Sequence, residues 1–199
     1  MKYDLYRKQT PGITLVHGGS KEDRDLFASY FKVNHPDISS SFHPVLENVK
    51  KPLFGHYRSV FDILLKQTAK EGSPIDKVLL MYECDKMGVE HLINRSPRAM
   101  SGGQKRRFSV MLEAICGKRK FFLRDETGAF LVPAVCSEII TWLKDYAERT
   151  PSPQPLSIVW LTDADIHAPM GEDNPAIPLS FANECFVIRE GQIEPDSCI

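Results

Sequence analysis

No apolar run in this 199-residue chain approaches the roughly 20 residues needed to cross a bilayer as a helix. Its first residues, MKYDLYRKQT, lack the apolar stretch of a secretory signal, so a cytoplasmic protein without membrane insertion is expected. Charge of one sign is also missing. Lys and Arg number 25 against 26 Asp and Glu, a formal net charge of -1, and this balance gives no reason to expect nucleic acid or an anionic membrane as partner. Cysteine is sparse: Cys84, Cys116, Cys136, Cys185 and Cys198 are odd in number, scattered and without a C-x-x-C pair. Such spacing argues against a disulfide scaffold or a zinc motif, and the expectation is no metal site and mostly apolar, core-filling cysteines. Internal repeats and low-complexity tracts are absent too.

What is present is the composition of a folded protein, 42% hydrophobic and 26% charged, long enough for one domain over residues 1–199 with a sizeable core. Residues 13–17 (ITLVH) read as a buried strand ending in Gly18-Gly19-Ser20. Leu26, Phe27, Tyr30 and Phe31 then recur at helical spacing. Residues 34–52 look irregular. Val60, Phe61, Leu64 and Leu65 mark a second helix, and Ser73-Pro74 predicts a third, with Ser as N-cap and Pro at the first position. Further helices are expected over 101–116 and 133–146, and strands over 120–123, 157–161 and 184–188, the last turned by Glu190-Gly191. Residues 168–180 form a proline-rich loop. Short apolar strands alternating with helices predict an α/β fold with a mainly parallel sheet flanked by helices. The consecutive helices over about 53–116 predict a helical subdomain inserted between two strands.

Met100-Ser101-Gly102-Gly103-Gln104 opens one of these helices, followed by Lys105, Arg106 and Arg107. S-x-x-Q alone is a capping box. It does not explain two glycines in a first helical turn, which cost roughly 1 kcal/mol each against alanine. Bare backbone at a helix N-terminus suits close approach of a phosphate.

MSGGQKRR resembles the signature motif of ABC ATPases, which in that family contacts the γ-phosphate of ATP bound to the opposite subunit. Some twenty residues on, Phe121-Phe122-Leu123-Arg124-Asp125-Glu126 resembles the family's Walker B strand. The resemblance assigns Asp125 to Mg²⁺ and Glu126 to the attacking water. Gly128-Ala129-Phe130-Leu131 is similar to the D-loop. Ser41-Phe42-His43-Pro44-Val45 and the helix from Tyr57 to Leu65 resemble the second nucleotide-binding domain of the ribosome-recycling (RNase L inhibitor type) ABC ATPases. The likeness covers about residues 12–193 and implies a P-loop NTPase-like fold.

The phosphate loop itself departs from the pattern. G-x-x-x-x-G-K-[ST] is met at Gly18 and then broken: Asp23 stands for the second glycine, Arg24 for the lysine and Asp25 for the hydroxyl residue, with Gly19 inside the loop. Two carboxylates then lie where phosphates belong, and Asp23 brings a Cβ where the loop needs bare backbone. Lys21 is the alternative source of an ammonium, in another register. By the same resemblance Val45 takes the Q-loop glutamine position, Val132 the D-loop aspartate and Thr127 the proline after Walker B. The switch histidine has no clear counterpart: Asp163 is nearest, and His167 lies too far on. The segment before Val45 is short, which implies a reduced antiparallel β-lobe. Arg124 falls in a strand expected to be buried, so it either pairs internally or reaches the sheet edge. Internal pairing would join Arg124 or Arg24 to Asp25 or Asp163.

Three functions follow. One is a non-catalytic ABC subunit that binds no ATP of its own and offers Ser101, Gly102, Gly103 and Gln104 to ATP and Mg²⁺ on another ABC ATPase subunit. Another is a structural or interaction module of a larger assembly, such as a ribosome-associated one, in which the MSGGQ helix is a scaffold relic or meets RNA phosphates through Lys105, Arg106 and Arg107. The third is a working ATPase or kinase with an atypical phosphate loop, supported by Asp125 and Glu126 alone.

Overall fold

The computed structural model describes residues 12–39, 43–47, 58–125, 133–163, 166 and 182–196. The proline-rich loop expected over 168–180 lies outside these residues, as does the start of the expected helical subdomain.

Five strands form one sheet in the order β2-β3-β1-β4-β5. β1 (Gly12–Gly18) is central and runs parallel to β3 (Ser157–Leu161) and β4 (Glu184–Arg189). β2 (Lys120–Arg124) lies outside β3, again parallel. β5 (Gln192–Pro195) pairs antiparallel with β4, the one antiparallel pair among the described residues. Ser39 adds a parallel bridge to Phe121 on the far edge. The parallel strands are nearly continuous apolar runs because both faces of the sheet are covered. Side chains alternate between two clusters. Leu15, Phe121, Leu123 and Trp160 pack into the larger one with the helices of residues 60–149. Val16, Phe122, Val159 and Leu161 pack instead with Phe27 and Phe31 of α1.

The helices are α1 (Lys21–Asn34), α2 (Pro44–Glu47), α3 (Val60–Lys70), α4 (Lys77–Lys86), α5 (Gly102–Ile115) and α6 (Pro133–Arg149), with 3-10 turns at Glu90–Leu92 and Pro97–Ala99. Three differ from the sequence expectation. α4 does not start at Ser73-Pro74, because the Ser73 amide is used to close α3 on the Thr68 carbonyl at 2.9 Å. Its N-cap is Asp76, whose carboxylate accepts from the Val78 amide at 2.7 Å. The stretch expected to be irregular contains the single helical turn of α2. In α1, Leu26 is exposed although its spacing suggested a core position. β5 carries too little apolar pattern to be read from the sequence; the register of its partner β4 defines it.

α4 is joined to α6 by a buried charge. Glu83, 1% exposed, accepts from Arg149 Nη1 and Nη2 at 2.7 and 3.1 Å and from the Trp142 indole at 3.1 Å. The Arg149 guanidinium also lies over the rings of Tyr82 and Tyr146.

Gly19, just after β1, has φ 69°, and a Cβ there would come within 2.8 Å of Ile188 Cγ2. Left-handed backbone and a clash against β4 combine, so Gly19→Ala is expected to cost about 2 kcal/mol in urea unfolding. A neutral result would show that the turn relaxes freely.

Candidate functional site

The loop expected to hold phosphates is very short. β1 ends at Gly18, Ser20 is already the N-cap of α1, and residues 21–25 are helical. Asp23, Arg24 and Asp25 are therefore helix residues rather than loop residues. Ser20 and Asp23 form a reciprocal capping box: the Ser20 hydroxyl accepts from the Asp23 amide at 3.1 Å, and the Asp23 carboxylate accepts from the Ser20 amide at 3.0 Å. An internal carboxylate thus sits at a helix N-terminus, where the helix dipole favours negative charge. Arg24 turns back and donates to the Gly19 carbonyl at 2.7 Å.

Strand alternation aims Arg124, at the end of β2, toward α1. There it donates to Asp25, which also accepts from Lys21 at 2.9 Å. Lys21 first and Arg124 second hold the Asp25 carboxyl down to about 2. The internal pairing expected of Arg124 is therefore present, with Asp25 as a partner. Lys21 is engaged in the same group.

Asp125 points the opposite way. It has no solvent exposure, and its Oδ2 accepts from the Trp160 indole at 2.5 Å. Its Oδ1 is buried with no hydrogen-bond partner. Burial pushes the Asp125 carboxyl up to about 6, against the opposing hydrogen bonds of Thr162 and Trp160. Because the folded pKa is raised, the folded state keeps a proton that the unfolded chain releases. The resulting stability is present below about pH 4 and is lost as pH rises through about 6. Asp125→Asn retains an acceptor for Trp160 and removes the charge. It is expected to stabilise the chain by about 2–3 kcal/mol at pH 8 and to flatten the pH 4–6 slope in urea titrations. A less stable variant at pH 8 would mean that the ionised carboxylate is wanted. Glu126, Thr127, the D-loop stretch with Val132, and His167 lie outside the described residues.

The capping box that the S-x-x-Q spacing suggests is present at the start of α5. Ser101 caps α5, its hydroxyl accepting from the Gln104 amide at 3.2 Å while Gln104 Oε1 accepts from the Ser101 amide at 3.0 Å. The amides of Gly102 and Gly103 take no part in that box. Ser101, Gly102, Gly103 and Gln104 line an open pocket of about 480 Å³, together with Gly88, His91, Leu92, Arg107 and Val135. His91 carries no signal in the sequence, since only the fold brings the 3-10 turn Glu90–Leu92 beside the start of α5. Arg107 pairs with Glu138 of α6.

The basic run Lys105-Arg106-Arg107 does not form one exposed face. Arg106 is 4% exposed and donates to the Phe122 carbonyl at 3.0 Å, so desolvation lowers its pKa. Arg107 pairs with Glu138 at the surface, so of the three residues of the alternative RNA contact Arg106 is the one buried away from it. Val45 lies on α2 and packs partly into the core, as an apolar residue should.

No family model matches the chain. It is 30% identical over 153 residues to the molybdenum import ATP-binding protein ModC of Paramagnetospirillum magneticum, covering 71% of this chain and 40% of that protein. Over 110 residues it is 29% identical to ModC of Rhizobium johnstonii, covering 55% and 27% respectively. The phosphonates import ATP-binding protein PhnC 1 of a Ruegeria species is 27% identical over 121 residues, covering 60% and 44%. The chain thus spans less than half the length of these relatives. Among solved structures, cbiO1 of Clostridium perfringens, part of the ABC transporter complex cbiONQ, matches with a TM-score of 0.56 at 15% identity, covering 92% of this chain and 75% of that one. A nucleotide-free ATP-binding cassette from an ABC transporter matches at 0.52 and 15% identity, covering 92% and 78%. The fold is that of the ABC ATP-binding cassette, a P-loop NTPase-type α/β fold with a mainly parallel sheet. Among the described residues no helix is long and apolar enough to cross a membrane.

Proposed function

We propose that the chain is the non-catalytic member of an asymmetric pair of ABC ATP-binding subunits. It offers Ser101, Gly102, Gly103 and Gln104 to ATP held on the other subunit. The observation that carries this reading is the β1–α1 turn, where α1 starts at Lys21 and the Asp23 carboxylate completes the capping box of Ser20. A phosphate arriving there would meet an internal carboxylate, with its attraction to the helix N-terminus already used.

Mg·ATP does not fit this chain's own residues. At the hydroxyl position Asp25 is committed to Lys21 and Arg124. Asp125, the resemblance's magnesium ligand, is fully buried against Trp160. No catalytic step is therefore assigned to this chain. The signature helix, by contrast, keeps its cap, its two glycines and an adjoining pocket. A subunit of this kind works in the cytoplasm beside a catalytic partner, and the pair's ATP and Mg²⁺ belong to the partner's loop. The likeness of residues 41–45 and 57–65 to ribosome-recycling ATPases favours a second reading, a structural module of a larger assembly that uses no nucleotide.

Calorimetric titration of the purified chain with Mg·ATP tests the first half of the proposal, and the expected result is no binding heat. ATPase assays of the chain with its co-purifying ABC subunit test the second, and stimulation of that subunit's turnover is expected. Tight binding with turnover by the chain alone would overturn the proposal. A chain that co-purifies with an RNA–protein particle and stimulates no ATPase would favour the second reading.

A further inference from the structure

The described residues contain one group of metal-binding side chains that the nucleotide reading does not use. His17 stands near the end of β1, Cys185 in β4, and Asp196 just after β5. The ladder brings them to one face. Asp196 donates its amide to the Cys185 carbonyl at 2.9 Å, so these two are opposite neighbours across the β4–β5 hairpin. Leu15 is in register with Cys185, and His17 with Val187. His17 therefore lies diagonally from Cys185 on the same side of the sheet. One donor atom from each residue, an imidazole nitrogen, a thiol sulfur and a carboxylate oxygen, falls within 4.8 Å of the others. His17 Nε2 and Asp196 Oδ2 are 2.6 Å apart, and both side chains are almost fully buried. Cys185 is 5% exposed.

We propose that His17, Cys185 and Asp196 form a transition-metal site of the Zn²⁺ class, a function independent of the nucleotide reading. One nitrogen, one sulfur and one oxygen make a borderline donor set that suits Zn²⁺ and excludes Mg²⁺ and Ca²⁺, which take oxygen ligands. Zinc bonds of about 2.0–2.3 Å in a tetrahedron put donors about 3.3–3.8 Å apart. The present spacing brackets that range, so side-chain shifts of about 1 Å complete the site. Three protein ligands leave the fourth tetrahedral position to water or an added ligand. On binding, the Cys185 thiol proton leaves to solvent, and His17 presents its Nε2 lone pair with the ring proton on Nδ1. The ion would tie the β4–β5 hairpin to the end of the central strand, next to the Gly18–Gly19 turn. In the absence of metal, the His17–Asp196 hydrogen bond holds the same two elements.

The test uses the full chain, stripped with a chelator and titrated with ZnCl2 against a chromophoric competitor, then with CoCl2. One Zn²⁺ per chain at micromolar affinity or tighter is expected, with a rise in Tm of about 5 °C at saturating zinc. Co²⁺ should give a near-ultraviolet thiolate charge-transfer band and the strong visible bands of a tetrahedral ion. Cys185→Ser is expected to remove the thiolate band, while Asp196→Asn weakens zinc binding about 10–100-fold. Cys116→Ser, at a partly buried cysteine outside the cluster, should leave both unchanged. If Cys185→Ser fails to fold, Asp196→Asn decides alone. Absence of stoichiometric zinc uptake, a thiolate band that survives Cys185→Ser, or zinc affinity unchanged in Asp196→Asn would each overturn the site.

Discussion

Arg149→Met is expected to destabilise the chain by about 3–5 kcal/mol, the cost of stranding a buried charge. Glu83 is 1% exposed and has Arg149 as its ion-pair partner, with Trp142 as a further donor. Glu83 first, and then Asp145, holds the Arg149 pKa above its ordinary value. Removing the guanidinium leaves a carboxylate in a low-dielectric contact between α4 and α6 with one neutral donor. It also removes the cation over Tyr82 and Tyr146. The double variant Glu83→Gln, Arg149→Met separates charge from packing. Its amide oxygen still accepts from Trp142, and no charge is stranded, so most of the loss should be recovered. Urea unfolding of both variants measures this. Equal losses in the single and double variants would assign the effect to packing around the tyrosines.

Ser101→Arg is expected to reduce chain-dependent ATPase activity of the partner by about 10²–10³-fold, the range for removing a group aimed at developing phosphate charge and filling its space. Ser101 is the N-cap of α5, so the substitution also costs about 1 kcal/mol of helix stability. Ser101→Asp distinguishes the two effects. Aspartate caps as well as serine, so stability should stay within about 0.5 kcal/mol. Its charge repels a γ-phosphate, so stimulation should fall as far as with arginine. Stimulation by Ser101→Asp equal to that of the parent chain would show that the signature end of α5 does not face nucleotide. Binding of the two subunits, followed by co-elution, should survive both variants, because the pocket at Ser101 is a small part of any stable interface.

How much of the site was legible varies by element. The S-x-x-Q spacing and the glycines located the signature helix and its cap, because a capping box is local and its chemistry sits within four residues. The departure of residues 18–25 from G-x-x-x-x-G-K-[ST] was legible as a pattern, but not where the helix after it begins. Gly18 and Gly19 leave the helix free to begin at Lys21, which only the β1–α1 geometry reveals. Asp125 and Arg124 are adjacent in sequence and face opposite layers. Strand alternation explains that, but it could not say which layer held Trp160 and which held Asp25. Arg106, read with its neighbours as a candidate phosphate contact, is instead buried against the β2 carbonyl of Phe122, while Arg107 pairs with Glu138 of α6 at the surface, because only the packing of α5 decides which of its cations is covered.

By itself, the sequence determined the alternation of apolar strands with helices, the parallel α/β class that follows, and the likeness of residues 100–107 to an ABC signature. These are local or periodic properties, set by side-chain spacing along one element. Tertiary structure decided which charges meet: Arg124 with Asp25, Glu83 with Arg149, and His17 with Asp196 beside Cys185. Each contact joins elements distant in sequence. Sheet register sets the last of them, because pairing β1 with β4 and β4 with β5 brings three strands' side chains to one face, whereas residue spacing along the chain carries no record of that pairing.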